Sequence, residues 1–129
     1  MKTLVLADSS LCIRAGREFG DPFGFFTLHS DDYEFATCGV VMVEVLRGVK
    51  DPEVMESWRQ EFNRLIYLPT NQSTWDRARK IAWDFERRGR RLGTPDIIIA
   101  ACAFEANAAV LTLDKRFAEI PGLRVLSGL

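Results

Sequence analysis

Apolar positions along this chain follow two rhythms: short unbroken runs, and longer stretches where they recur every third or fourth residue. The first rhythm marks buried strands and the second amphipathic helices. Thr3 to Ala7, with Leu-Val-Leu-Ala and no polar face, predicts a strand, followed by a helix from about Ser9 to Glu18 capped by Ser9 or Ser10. Gly20-Asp21-Pro22-Phe23-Gly24 breaks the chain. Phe35 to Cys38 predicts a second strand, running into a helix from about Val40 to Arg47 that stops at Gly48. Asp51-Pro52 opens another helix, with Val54, Trp58, Phe62 and Leu65 as its apolar stripe, and Ile66-Tyr67-Leu68 forms a short strand before Pro69. Ser73 or Thr74 caps a helix that turns Trp75, Ala78, Ala82 and Phe85 inward and stops at Gly89, its tryptophans serving as core anchors. Thr94, Pro95 and Asp96 read as cap, first helical residue and first-turn acid of a helix that is apolar on every side from Ile97 to Phe104. Ala109 to Thr112 and Arg124 to Leu126 supply two more strands. Strands separated by helices predict an α/β fold: a central parallel sheet with helices on both faces.

Composition narrows the function classes. At 129 residues the chain is expected to form one domain, residues 1–129, and 47% hydrophobic with 27% charged residues is ordinary for a globular protein. A net charge of −1 excludes a bulk polycation that coats nucleic acid. No apolar run approaches the ~20 residues of a membrane span, and Asp8 interrupts the start too early for a secretory leader, so a cytoplasmic location is expected. Cys12, Cys38 and Cys102 are widely spaced among apolar neighbours and read as small buried hydrophobes rather than as a zinc site. His29 is the only histidine, which excludes chemistry needing two imidazoles. The glycine-rich phosphate cradles of nucleotide-binding folds are absent. The chemistry falls to carboxylates.

Four acids stand in unusual company. Asp8 follows Leu4-Val5-Leu6-Ala7, Glu44 interrupts Val40 to Leu46, Asp96 precedes the isoleucine-rich helix, and Asp114 follows Val110 to Leu113. Each has a plain explanation by itself: Asp8 as a helix cap, Asp96 as the partner of a helix dipole, Asp114 as a turn starter, Glu44 paired with Arg47. Together they are harder to dismiss, because the carboxyl ends of parallel strands open onto the ligand crevice of such sheets. Carboxylates gathered there raise one another's pKa and favour a divalent cation, and oxygen ligands without His or Cys select Mg²⁺ or Mn²⁺ over zinc.

Four segments carry a family resemblance: Leu4-Val5-Leu6-Ala7-Asp8-Ser9-Ser10, Val43-Glu44-Val45-Leu46-Arg47-Gly48, Asp96 to Ala103, and Leu111-Thr112-Leu113-Asp114-Lys115-Arg116-Phe117. In this order and spacing the chain resembles the PIN domain, in particular the small VapC-type toxin ribonucleases. The resemblance implies a three-layer α/β/α fold and a Mg²⁺-dependent endoribonuclease. Asp8 and Asp96 become the principal metal ligands, Glu44 and Asp114 complete the pocket, and the Ser9 and Thr112 hydroxyls support it. It also implies an RNA substrate, a homodimer and a cognate antitoxin of a type II pair. Arg87, Arg88, Arg90 and Arg91, just before Asp96, are candidate RNA phosphate contacts. The stretch from Arg14 to Phe35 does not align with the family, which suggests a partner or substrate surface there.

Three rivals fit less well. A response-regulator receiver wants an acidic pair after the first strand and an Asp after the third, where this chain has Ala7-Asp8-Ser9 and Leu68-Pro69-Thr70. A haloacid-dehalogenase-type phosphatase wants Asp-x-Asp, where this chain has Asp8-Ser9-Ser10. A catalytically silent PIN-like module that binds RNA or protein would be expected to have lost at least one of the four acids.

Overall fold

The computed structural model describes all residues from Met1 to Leu129. Strands β1 (Thr3–Ala7), β2 (Tyr33–Thr37), β3 (Ile66–Tyr67), β4 (Ala109–Leu111) and β5 (Val125–Leu126) form one sheet in the order β3-β2-β1-β4-β5. All four pairings are parallel, with Leu6 opposite Ala36 on one side and Val110 on the other. Helices α1 (Ser9–Phe19), α2 (Pro22–Leu28), α3 (Gly39–Leu46), α4 (Pro52–Phe62), α5 (Gln72–Arg87) and α6 (Thr94–Glu105) fill the crossovers, and a short 3-10 helix spans Lys115–Glu119. The strand order reverses direction after β3. Right-handed crossovers therefore put α1 to α4 on one face and α5 and α6 on the other. The switch point lies between β1 and β4, where such sheets open a crevice at their carboxyl edge.

Strands β1, from Leu4 on, and β4 read as continuous apolar runs because both faces are covered there. Val5, Leu6, Val110 and Leu111 are fully buried, as are Ile99, Ala100 and Ala101 of the apolar α6. Residues Arg14 to Phe35 hold the second helix, which sequence periodicity leaves unassigned. Asp21 caps α2 by accepting from the Phe23 and Gly24 amides, and Pro22 preorganises its first turn. The phenylalanines there are packing residues: Phe23 sits edge-on to Phe62 at 5.0 Å between centroids and Phe26 stacks on Phe35 at 4.6 Å. His29 lies against Phe25 in the same cluster.

Three helix starts differ from those the sequence predicts. The cap of α1 is Asp8 rather than Ser9 or Ser10, because its carboxylate reaches the Leu11 amide. The cap of α5 is Asn71 rather than Ser73 or Thr74: its side chain accepts from the Thr74 amide while the Thr74 hydroxyl returns to the Asn71 amide, closing a capping box. Helix α6 starts one residue early, with Gly93 as cap and Thr94 already helical. The tryptophans of α5 are not core anchors. Trp75 and Trp83 are 48% and 57% exposed, since the inward face of α5 is set by Thr74, Ala78, Ile81 and Phe85. The three cysteines are free and buried, and burial pushes the Cys12 thiol far up, leaving it inert.

Candidate active site

Each of the four acids reaches the carboxyl edge of the sheet by a different local route. Asp8 is the first residue after β1, and Asp114 lies in the turn that follows β4. Asp96 stands in the first turn of α6, whose start lies at that edge because its end feeds β4. Glu44 projects from α3, the helix entered directly from β2. The acids act on one another there. Asp96 has its pKa raised, first by burial and then by the charges of Asp8, Asp114 and Glu44, against a smaller opposing pull from Arg116.

The four carboxylates are not equally free. Asp8 is buried, and its Oδ1 accepts from the Leu11 amide at 2.9 Å and the Ser10 hydroxyl at 3.0 Å. Its Oδ2 accepts from the Thr112 hydroxyl, whose oxygen in turn accepts from the Asp114 amide at 3.0 Å. A carboxylate offers about four lone-pair positions, so these three bonds leave one on Oδ2, on a residue only 2% exposed. Ser9 donates its hydroxyl to Glu44 Oε1 at 2.6 Å, fixing α3 against α1 and leaving Oε2 open. Asp96 takes part in no side-chain hydrogen bond, and its half-buried oxygens are both open. Asp114 is the exception: Arg116 occupies both its oxygens, with Nη2 at 2.6 Å from Oδ2 and Nε at 3.0 Å from Oδ1. That pairing first of all, with the Arg116 amide adding to it, holds the Asp114 carboxyl below its usual range.

No three acidic, cysteine or histidine side chains stand close enough to grip one ion between them as the chain is folded. Asp8, Glu44 and Asp114 are each held by hydrogen bonds of their own. The donor chemistry nonetheless suits a hard divalent cation: open carboxylate oxygens on Asp8, Glu44 and Asp96, and no nitrogen or sulfur ligand in the crevice. Thr112 ties Asp8 to Asp114 across the β1–β4 switch point. Replacing it with Val should therefore destabilise the fold by about 1–3 kcal/mol through a buried carboxylate oxygen left without its donor. Chemical unfolding of the purified variant reads that cost directly.

The basic stretch is differently placed from what its sequence suggests. Arg90 is bidentate to Glu119 at 2.7 and 2.8 Å, and Arg88 stacks on Phe85 and donates to the Glu119 carbonyl. Arg87 lies over the Trp83 ring, and Arg91 is exposed with its carbonyl held by Arg116. Arg116 itself is absent from the sequence-derived set of site residues; its one sequence signal is its position two residues after Asp114.

The fold and the acids at its switch point define a doubly wound α/β protein with an anionic crevice. The chain belongs to the PIN domain family, whose model matches residues 5–123. Three solved structures share the fold. The VapBC2 structure from Rickettsia felis, bound to a DNA fragment from their promoter, is 22% identical with a TM-score of 0.81, covering 96% of this chain and 98% of that one. The DNA-bound VapBC of Salmonella typhimurium is 23% identical with a TM-score of 0.78, covering 98% of each chain. A toxin-antitoxin complex from Klebsiella pneumoniae is 22% identical with a TM-score of 0.72, covering 95% and 96%. No curated protein sequence matches the chain significantly.

Proposed function

We propose that this protein is a Mg²⁺-dependent endoribonuclease, with Mn²⁺ as an alternative ion, and the toxin of a type II toxin-antitoxin pair. The observation that carries the reading is Asp96, open on both oxygens and raised in pKa first by burial and then by the charges of three further carboxylates. Such a group gains most from a bound cation. Asp8 and Asp96 are its principal holders and Glu44 completes the pocket, while Asp114, held at both oxygens by Arg116, borders it. When bound, a divalent ion lowers the pKa of a coordinated water and neutralises charge on a phosphodiester. The chain's own part is positional: Thr112 aims Asp8, Ser9 aims Glu44, and the first turn of α6 presents Asp96.

The toxin reading draws on the family and on structural neighbours that are themselves toxin-antitoxin assemblies. It brings with it a cognate antitoxin as partner, an RNA substrate and a cytoplasmic place of action. No helix of the chain is long and apolar enough to cross a membrane. A homodimer is the further assembly we propose. The exposed side chains of Val43, Tyr67 and Trp75 line one groove beside Glu44, an apolar face suited to a second copy.

Thermal unfolding with increasing Mg²⁺ or Mn²⁺, together with cleavage of single-stranded RNA with and without EDTA, tests the proposal. A concentration-dependent rise in Tm is expected, reaching about 2.7 kcal/mol of stabilisation at a hundred times the Kd. Cleavage should vanish in EDTA. Stabilisation by metal without any cleavage would return the chain to the silent binding module.

Among the basic residues, Arg91 is the phosphate contact we favour, since Arg88 and Arg90 are committed to Glu119 and Arg87 to Trp83. Arg91→Ala should lower the slope of log affinity against log salt by about 0.7, while Arg90→Ala leaves it nearly unchanged. Equal slopes for wild type and Arg91→Ala would make that stretch an ordinary solvated helix end.

A further inference from the structure

The guanidinium at the rim of the acidic crevice is built in a way that a simple surface ion pair does not require. Asp114 receives the Arg116 amide at 2.9 Å, Nε on both oxygens at 3.0 and 3.1 Å, and Nη2 at 2.6 Å. These bonds occupy all four of its lone-pair positions. From the other side, Nη1 donates to the Arg91 carbonyl at 3.1 Å, just ahead of the Asp96 helix. The guanidinium is thus fixed at three nitrogens. It still lies 44% exposed, and its positive charge is felt by Asp96.

We propose that Arg116 binds the phosphodiester that the crevice acts on, and that Asp114 serves as the arm holding it there. Five N–H groups minus the three committed ones leave two, one on each terminal nitrogen, free to receive a phosphate oxygen. A planar guanidinium clamped along one edge presents its remaining donors in a fixed direction, the geometry that favours phosphate oxygens over water. The position is also the one an anionic substrate needs. The crevice repels RNA through Asp8, Glu44 and Asp96, and Arg116 is the cation whose charge reaches Asp96. Arg88 and Arg90 cannot take this part, because Phe85 and Glu119 hold them. Asp114 then contributes to the site through Arg116 rather than through an open oxygen of its own.

This inference rests on the nuclease reading, and its test separates the two. Binding of a fluorescent single-stranded oligoribonucleotide is measured in EDTA over a range of salt for wild type, Arg116→Ala, Arg116→Gln and Arg116→Lys. Arg116→Ala and Arg116→Gln should bind several-fold more weakly, with a salt slope reduced by about 0.7 for the lost phosphate contact. Arg116→Lys should recover the slope, since it keeps the charge, but not kcat/KM, since it loses the fixed fork. Stabilisation by Mg²⁺ should persist in every variant, because the open oxygens of Asp8, Glu44 and Asp96 remain. If Arg116→Ala does not fold, Arg116→Gln, which keeps a donor for Asp114, decides the question by its slope. Unchanged affinity and slope in a folded variant, beside a wild type that cleaves RNA with Mg²⁺, would overturn the role of Arg116 and leave the nuclease reading standing. A wild type that neither cleaves RNA nor gains stability from Mg²⁺ would overturn both.

Discussion

Asp96→Asn should abolish metal-dependent RNA cleavage while making the metal-free protein more stable at neutral pH. The two effects share one cause. Asn keeps the shape of the side chain but removes the charge that a cation neutralises, so the activity loss should exceed the ~100-fold that losing a mere orienting partner costs. Without metal, the same charge is a liability, because burial and the three neighbouring carboxylates raise the Asp96 pKa. A carboxyl whose folded pKa lies above its unfolded value binds its proton more tightly in the native state. Its ionisation therefore costs stability as pH rises from the unfolded pKa through the folded one, and below the unfolded pKa the cost is absent. Unfolding in EDTA should show Asp96→Asn ahead of wild type at pH 7, with the difference closing toward pH 3. A gain that persists unchanged at low pH would show that electrostatics is not its source. Metal-dependent cleavage at the wild-type rate would remove Asp96 from the site.

Asp8 should behave differently, although the sequence alone makes the two acids look equivalent. Neutralising Asp8 does more than relieve repulsion, because Asp8 caps α1 through the Leu11 amide and accepts from Ser10 and Thr112. Asp8→Ala should lose the cap, at about 0.5–2 kcal/mol, and leave the buried Thr112 hydroxyl without its acceptor, at about 1–3 kcal/mol more. Asp8→Asn can keep the cap through its carbonyl oxygen but places an amide against Thr112, whose oxygen already serves the Asp114 amide. It should fold, gain nothing in stability and lose metal-dependent cleavage. Denaturant midpoints for Asp8→Ala, Asp8→Asn and Asp96→Asn rank these effects directly. An Asp8→Ala variant as stable as wild type would contradict the hydrogen-bond network at the start of α1.

The sequence by itself determined the class of fold and the element types, the helix from Pro22 to Leu28 excepted. Leu4 to Ala7, Ala109 to Leu111 and the all-apolar Ile97 to Ala103 have no polar face to turn toward water, so burial leaves them only a covered sheet and an interior helix. It also singled out Asp8, Glu44, Asp96 and Asp114, because an acid adjoining such runs needs a reason to be there. Caps were harder to read. Asp8 and Asn71 compete with the neighbouring Ser9, Ser10, Ser73 and Thr74, and only backbone geometry decides which oxygen reaches an amide. The outward turn of Trp75 and Trp83 is a matter of helix rotation, fixed by what α5 packs against rather than by their own size. Tertiary structure alone decided how the four acids differ. Ser9 reaches Glu44 across 35 residues and Thr112 reaches Asp8 across 104, and no local pattern encodes contacts made by chain crossing. The same holds for the clamp on Arg116 from Arg91 and for the salt bridge from Arg90 to Glu119, which turned a run of free-looking arginines into one committed pair, one stacked side chain and one exposed charge. Periodicity reports which face of an element is apolar; which polar groups meet across the switch point is set by how the crossovers bring strand ends together.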